Sequence, residues 1–207
     1  MPTLAHRVLA GRHVVLEPME LRHVDEIAAA AAGDRSSFGW TVVPDGPDEA
    51  AGYVQWLLDD AAAGSVAPFV QRRVADATVV GCTRFLNPAW PLGREFPDEV
   101  EVGGTWLNAS AQRSGVNTEA KLLLLAHAFD VWGVQRVAIC TDARNDRSRE
   151  AIERLGAGFE GVLRRHRRSA ATGQLRDTAV YSVVTPEWPT VRRRLESLLA
   201  RHGDPSA

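Results

Sequence analysis

The sequence predicts a mixed α/β fold in a single domain, residues 1–207, organised around one strand–turn–helix unit over residues 99–132. Two periodicities carry that expectation. In residues 99–107 Val100, Val102 and Trp106 share one parity while Glu99, Glu101 and Thr105 share the other, as in a strand with one apolar and one polar face. From Thr118 onward Leu122, Leu125, Ala126, Phe129 and Trp132 recur at helical spacing, and Leu123, Leu124 and Ala128 widen the stripe until the helix must be buried. Gly133 follows as its C′ residue. The third observation is that stretches of both periods alternate along the whole chain.

Residues 12–19 read as a short strand. Residues 20–32 follow as a helix with Leu21, Val24, Ile27 and Ala28 on one face, stopped by Gly33. Residues 34–46 hold Phe38 and Trp40 without clear period and read as a loop, whose aromatics either wall a cleft or tuck into the core. Pro47 opens a second helix at its permitted first-turn position and carries it to Gly64. Residues 66–75 and 78–86 make a hairpin across Ala75-Asp76-Ala77. Three prolines and Trp90 mark residues 87–97 as a structured loop. In the next strand, Gly103-Gly104 removes two side chains, which weakens a strand unless another backbone or a ligand comes close.

Beyond the central helix, residues 134–141 (VQRVAICT) form a nearly continuous apolar strand, as in a sheet covered on both faces. Asn145 or Asp146 caps a helix that ends at Leu155, with Gly156 closing it. Residues 159–168 and 176–184 pair across residues 170–173. Residues 187–202 form a last amphipathic helix, and residues 203–207 a frayed tail. The order is seven strands in a mixed sheet with flanking helices.

With 207 residues, 45% hydrophobic and 24% charged, the chain has the composition of a soluble globular domain with a real core. A net charge of −2 gives no electrostatic case for nucleic acid or a membrane surface. Basic residues are almost all Arg, with Lys121 the only lysine. Cys82 and Cys140 fall in predicted strands without metal-ligand spacing, so reduced thiols in a cytoplasmic protein are expected. The N-terminus lacks a signal-peptide apolar core and no segment approaches a membrane span.

Gln112-Arg113-Ser114-Gly115-Val116-Asn117 joins the central strand to its helix. First-turn N–H groups have no intrahelical partner and carry the positive end of the helix dipole, so a Gly-containing turn there makes a concave nest for an anion. Gly115 permits close approach, and Asn117 tolerates a left-handed conformation. On spacing alone, an ordinary ligand-free connection reads the same way. Glu119 adds negative charge to that first turn and must point away if an anion binds.

Gln112-x-x-Gly115-x-Asn117 resembles the pyrophosphate-binding motif Q/R-x-x-G-x-G/A of the GNAT superfamily, the acyl-CoA-dependent N-acetyltransferases, departing from it at Asn117. GVNTEAKLLLLAHAF, TDARNDRSREAIERLGA and EGVLRRH resemble the branch related to ribosomal-protein N-terminal acetyltransferases. These motifs cover residues 99–182. The resemblance implies a sheet whose two central parallel strands splay apart to admit acetyl-CoA, with no metal. It implies that backbone groups of Trp106 and Leu107 pair with the pantetheine arm, that the N–H groups of Arg113, Ser114, Gly115, Val116 and Asn117 hold the pyrophosphate, and that Asn145 reaches the pantetheine.

Transfer to an amine requires a deprotonated nucleophile and a protonated leaving thiolate. Glu101, mid-strand on the polar face, is the first choice of base and matches the family's carboxylate; Glu99, two residues back, is the reserve. Many family members carry a Tyr that protonates the thiolate, in a pattern Y-x-x-x-G-F. Here Ile152 and Ala157 stand at those positions, so the Tyr is absent. Ser148 is the remaining hydroxyl, a hydrogen-bond donor or water relay that also touches the cofactor.

The run Arg164-Arg165-His166-Arg167-Arg168 reads as a charged edge strand, with alternation sending Arg165 and Arg167 to one side; contact with the cofactor's ribose phosphate or an acidic protein is the functional alternative. His127 reads as a core residue. The expected acceptor is a protein amine, either α-amino or lysine, approached by a monomer or homodimer. The rivals are an enzyme for a small-molecule amine and a non-catalytic acyl-CoA-binding module.

Overall fold

The computed structural model describes residue 4 and residues 7–169 and 172–203. The predicted turn residues 170 and 171 and tail residues 204–207 lie outside that range. Among the described residues eight strands form one mixed sheet: β1 (Leu9–Ala10), β2 (Val14–Pro18), β3 (Val66–Arg73), β4 (Val79–Ala89), β5 (Glu99–Leu107), β6 (Arg136–Asp142), β7 (Gly158–Arg168) and β8 (Leu175–Val184). They lie in the order β1-β2-β3-β4-β5-β6-β8-β7. The count exceeds the expected seven by β1, which pairs Leu9 with Leu16 and Ala10 with Val15. Two residues are too few to show alternation in a sequence.

Among the described residues five α-helices flank the sheet: α1 (Val24–Ala31), α2 (Gly46–Ala62), α3 (Gly115–Ala126), α4 (Asp146–Leu155) and α5 (Trp188–Ala200). α3 runs on as a π-helical turn, His127–Trp132, and ends at Gly133 with φ 66°. α4 ends likewise at Gly156, φ 99°. Both glycines supply the left-handed C′ conformation that a side chain resists.

Two apolar layers sandwich the sheet. On one face Val100, Val102, Val137 and Ile139 pack with Leu124 and Leu125 of α3, Ile152 of α4 and Val191 and Leu195 of α5. On the other, Ile27 of α1 and Tyr53, Val54 and Leu57 of α2 cover Val70, Cys82 and Trp106. α1 and α2 cover that second face over β3–β5.

β4 runs to Ala89, past the expected strand end at residue 86, so the proline-rich loop begins at Trp90. The register slips between Leu86 and Ala89, with Asn87 at φ 51°. Pro88, which has no N–H for a ladder, sits in that irregularity.

Candidate active site

β5 and β6 run parallel but pair only at Glu99–Arg136, Val100–Val137 and Glu101–Ala138. Beyond Glu101 they part. A bulge helps to part them: Gly104 takes φ 56°, and the β4–β5 register slips between Cys82 and Arg84. The left-handed conformation of Gly104 strains any side chain, and a Cβ there would also displace the Arg84 guanidinium. The bulge also reverses parity. Trp106 joins Tyr53 and Cys82 beneath α1 and α2, while Leu107 joins Val100 and Val102 beneath α3. The expected common face of Val100, Val102 and Trp106 is therefore wrong, because an extra residue in one strand flips every later side chain.

The Asn108 N–H donates to the Val80 carbonyl of β4 at 2.8 Å. Two-residue alternation then turns the Trp106 backbone toward β4, where its carbonyl also takes Gln71 Nε2 at 3.4 Å. Leu107 alone of the expected pair faces the gap, and its carbonyl accepts Gln112 Nε2 at 2.9 Å.

The turn into α3 has the form of a nest. Ser114 caps the helix, its Oγ accepting the Val116 N–H at 3.3 Å and donating to the Ala111 carbonyl at 2.6 Å. The left-handed residue is Arg113, φ 60°. Asn117, expected to tolerate that conformation, instead lies inside the first helical turn. The first-turn N–H groups of Gly115, Val116 and Asn117 have no intrahelical acceptor. Glu119 does point away: its carboxylate accepts the backbone N–H groups of Arg12, His13 and Val14. A Cβ on Gly115 would stand 2.9 Å from the His13 ring, so His13 is the close approach that requires glycine.

Gln112 binds across the gap. Nε2 donates to Ser37 Oγ, 2.9 Å, as well as to Leu107, and Oε1 accepts Arg147 Nη2 of α4 at 2.5 Å. Arg144 lies 5.2 Å over the Trp40 ring. The α1–α2 loop thus spans both sides of the gap. Its aromatics divide the two expected fates: Phe38 is buried edge-on against Trp106, and Trp40 stays partly exposed. Asn145 caps α4, Oδ1 accepting the Ser148 N–H at 3.1 Å.

On the face that α1 and α2 leave open, a cavity of about 470 Å³ lies over β5, β6, β8 and β7. Its walls include Glu99 and Glu101 of β5, Arg136 and Cys140 of β6, and His166 and Arg167 of β7. Ser148 is not among them. Glu101 is buried and carries three donors: Arg167 Nη1 to Oε1 at 3.1 Å, Arg167 Nη2 to Oε2 at 2.8 Å, and Asn87 Nδ2 to Oε2 at 2.9 Å. Glu99 pairs with Arg136, whose other nitrogen reaches Glu160 at 2.6 Å. Arg136 and the Ser182 hydroxyl hold Glu160 below the usual carboxylate range. Burial pushes the Cys140 thiol up to about 11, which keeps it neutral.

β7 is an edge strand, as expected, but its alternation fails. The register slips between Leu163 and Arg167; Arg165 takes φ 48° and donates its N–H to Asp177 Oδ1 at 2.7 Å. His166 and Arg167 therefore both reach the cavity. Sequence reasoning missed Asn87, Arg147 and the Arg167 contact; the dense arginine run was the one signal available for the last. It also missed Lys121, which is buried and donates to Thr105 Oγ1 at 2.7 Å, beside Thr83. Burial lowers its ammonium pKa to about 7. His127 lies in the core against Phe85 and Trp132. Among the described residues no group of three or more His, Cys, Asp and Glu side chains is arranged to hold a metal, and no helix is long and apolar enough to cross a membrane.

Comparison with known proteins matches residues 13–158 to the family model described as "Acetyltransferase (GNAT) domain". The Bacillus subtilis (strain 168) protein YdaF, named provisionally as a ribosomal N-acetyltransferase, is 33% identical over 85 residues; the match spans 41% of this chain and 45% of that protein, less than half its length. A crystal structure described as an acetyltransferase from T. thermophilus is 33% identical, with a TM-score of 0.80 over 94% of this chain and 98% of that one. Mycobacterium smegmatis RimJ, solved with CoA-disulfide, shares the fold at 22% identity and a TM-score of 0.75, covering 93% and 91% of the two chains.

Proposed function

The chain belongs to the acetyltransferase (GNAT) family, and from that premise we propose that it transfers the acetyl group of acetyl-CoA to a primary amine presented at the Glu101 cavity. One observation carries this reading: β5 and β6 stop pairing at Glu101–Ala138, next to a cavity carboxylate, and their gap leads to an anion nest at the start of α3. The parted strands, the Leu107 backbone facing the gap and the glycine-containing nest fit a long arm ending in a pyrophosphate. Arg113 to Asn117 would hold that pyrophosphate, Gln112 and Arg147 would flank it, and Leu107 and Asn145 would meet the pantetheine.

Acetyl-CoA supplies the activated thioester carbonyl. Glu101 orients the incoming amine and takes its proton as the nitrogen attacks. Glu99 is the reserve, although its carboxylate is already tied to Arg136. Ser148, one turn inside α4 at the edge of the gap, donates a hydrogen bond to the departing sulfur directly or through water. The name of YdaF supports a protein acceptor, α-amino or lysine, and the exposed strand β7 beside the cavity leaves room for a polypeptide. The cavity's size also suits a small-molecule amine, which is the second reading. The protein acts as one domain, a monomer or homodimer, in the cytoplasm, where Cys82 and Cys140 stay reduced.

Free thiol released from acetyl-CoA, measured with a panel of peptide α-amines, lysine peptides and small amines, tests the proposal. Acetyl-CoA binding without thiol release on any acceptor would leave a non-catalytic binding module. Absence of binding would overturn the cofactor assignment.

A further inference from the structure

The bulge in β5 accounts for only one glycine of its pair. Gly104 needs glycine for its conformation, φ 56°, whereas Gly103 is not left-handed. Packing against backbone does not require Gly103 either. A Cβ there would meet only side-chain ends, Leu86 Cδ2 at 3.2 Å and Glu101 Oε1 at 3.4 Å. Gly81 shows the contrast, since a Cβ on it would fall 2.0 Å from the Trp106 carbonyl oxygen. A strand glycine with neither reason fits a place that a ligand approaches closely.

Opposite charges stand at the two ends of this bare floor. Glu101 Oε1 lies at the Gly103 end. At the Gly104 end lies the Arg84 guanidinium, whose carbon would be 2.4 Å from a Cβ on that residue. Arg84 pairs with Gly103 across β4 and β5 and shares its parity with Cys82, so it projects from the same sheet face as Glu101. On the cavity wall three carboxylates, Glu99, Glu101 and Glu160, face two guanidiniums, Arg136 and Arg167, so the Glu101 end suits an incoming amine. Arg84 differs, because no carboxylate pairs with it among the described residues. Its neighbours are the Tyr53 hydroxyl and the exposed Trp56 ring, whose centroid is 5.4 Å away. A guanidinium stacked on an aromatic is held in orientation while most of its N–H donors stay available.

We propose that Arg84 is a specificity-determining residue of the acceptor site, binding a carboxylate that the acceptor carries close to its reacting amine. The inference rests on the proposed acetyl transfer and deepens it by naming a substrate class, amines that bear a nearby carboxylate. The amine sits at Glu101 and attacks the thioester. The carboxylate lies over the glycine floor and accepts a charge-assisted, bidentate pair of hydrogen bonds from the guanidinium. No atom of Arg84 enters the transfer itself. A free amino acid and a peptide with an acidic residue beside its N-terminus both carry this chemistry, and the test separates them.

The test measures thiol release from acetyl-CoA with two pairs of acceptors, each pair alike in its amine. One pair is a C-terminally amidated peptide with Asp or Asn at its second position; the other is γ-aminobutyrate and its amide. Wild type should favour the carboxylate member of at least one pair by ~10-fold or more in kcat/KM, the worth of a charge-assisted hydrogen bond, and the pair that responds names the source. In R84Q that ratio should fall to about 2 or less through a higher KM for the carboxylate member, with the neutral member within about threefold of its wild-type kcat/KM. R84K keeps a cation but loses the planar fork, so the ratio should fall by ~3-fold or more. No preference in wild type, an unchanged ratio in R84Q, or an equal loss on both members overturns the proposal. Should R84Q fail to fold, R84K decides alone, and an unchanged ratio there overturns it. If wild type releases no thiol with any amine, the acetyl-transfer reading falls on that result. Calorimetry with the Asp peptide and γ-aminobutyrate in the presence of coenzyme A then decides the role of Arg84. Binding to R84Q weaker by ~5-fold or more supports it; equal affinity, or no binding to wild type, overturns it.

Discussion

Glu119 Oε2 accepts the His13 backbone N–H at 2.6 Å, and the same carboxylate takes the N–H groups of Arg12 and Val14. The residue that looks most hostile to an anion at the start of α3 is thereby spent on the neighbouring strand. Close approach is required: a Cβ on Gly11 would lie 2.3 Å from the Glu119 carboxyl carbon. The contact ties β2 to α3 and keeps this carboxylate off the first-turn donors.

Glu119→Gln should therefore destabilise the fold by about 2–4 kcal/mol, because the amide presents donors where three N–H groups need an acceptor. Urea denaturation gives the value. A loss below ~1 kcal/mol would mean that water substitutes for the carboxylate.

Lys121 makes stability depend on pH. Its folded-state pKa, about 7, lies below the ordinary 10.5 because burial disfavours the ammonium. The unfolded chain binds this proton more readily, so stability is fullest above pH 10.5 and is lost as pH falls toward 7. Burial raises the Cys82 thiol and opposes this trend at high pH, so the effect is best read as wild type minus Lys121→Met. Between pH 7 and 8.5 wild type should gain roughly 1–2 kcal/mol relative to that variant. Parallel stability curves would mean that water reaches the ammonium.

Much of the fold was legible because burial imposes periods that a sequence records. α3 and β6 carry their apolar residues at helical and near-continuous spacing, and Gly133 and Gly156 mark helix ends that the structure places in left-handed conformations. The parity of Trp106 was not legible, since Gly103-Gly104 announces a weak strand without saying that the chain gains a residue there. The left-handed nest residue proved to be Arg113, where no propensity pointed. Least legible was Arg167 on Glu101, 66 residues away, a contact made from beyond a bulge that Asp177 pins. Local periods report which face is buried; they carry no record of which irregularity aims a charge.

Gly115→Ala separates packing from anion binding. The new Cβ meets the His13 ring at 2.9 Å, so the variant should lose about 1–3 kcal/mol of stability through overpacking. Adding His13→Ala removes that clash. Calorimetry on the double variant should then find coenzyme A affinity within about threefold of wild type, since the methyl points at residue 13. A double variant that is stable yet loses affinity more than tenfold would place Gly115 itself against the ligand.

The proposed base is tested by Glu101→Gln with Glu99→Gln on the same strand face. Glu99 is already paired with Arg136 and partly exposed, so its variant should keep most of its activity. Glu101→Gln should lower kcat/KM by ~10²–10⁴ while acetyl-CoA affinity survives, and the deficit should shrink as pH rises and deprotonated amine becomes abundant. Glu101 is also the partner of a half-buried guanidinium, so the single change leaves Arg167 uncompensated and lowers stability by an amount that can approach about 3–5 kcal/mol. Pairing it with Arg167→Gln removes both charges and restores the fold without restoring a proton acceptor. If the double variant regains stability and stays slow, Glu101 is the base; if it regains activity as well, the carboxylate serves only to neutralise Arg167, and the amine sheds its proton to water.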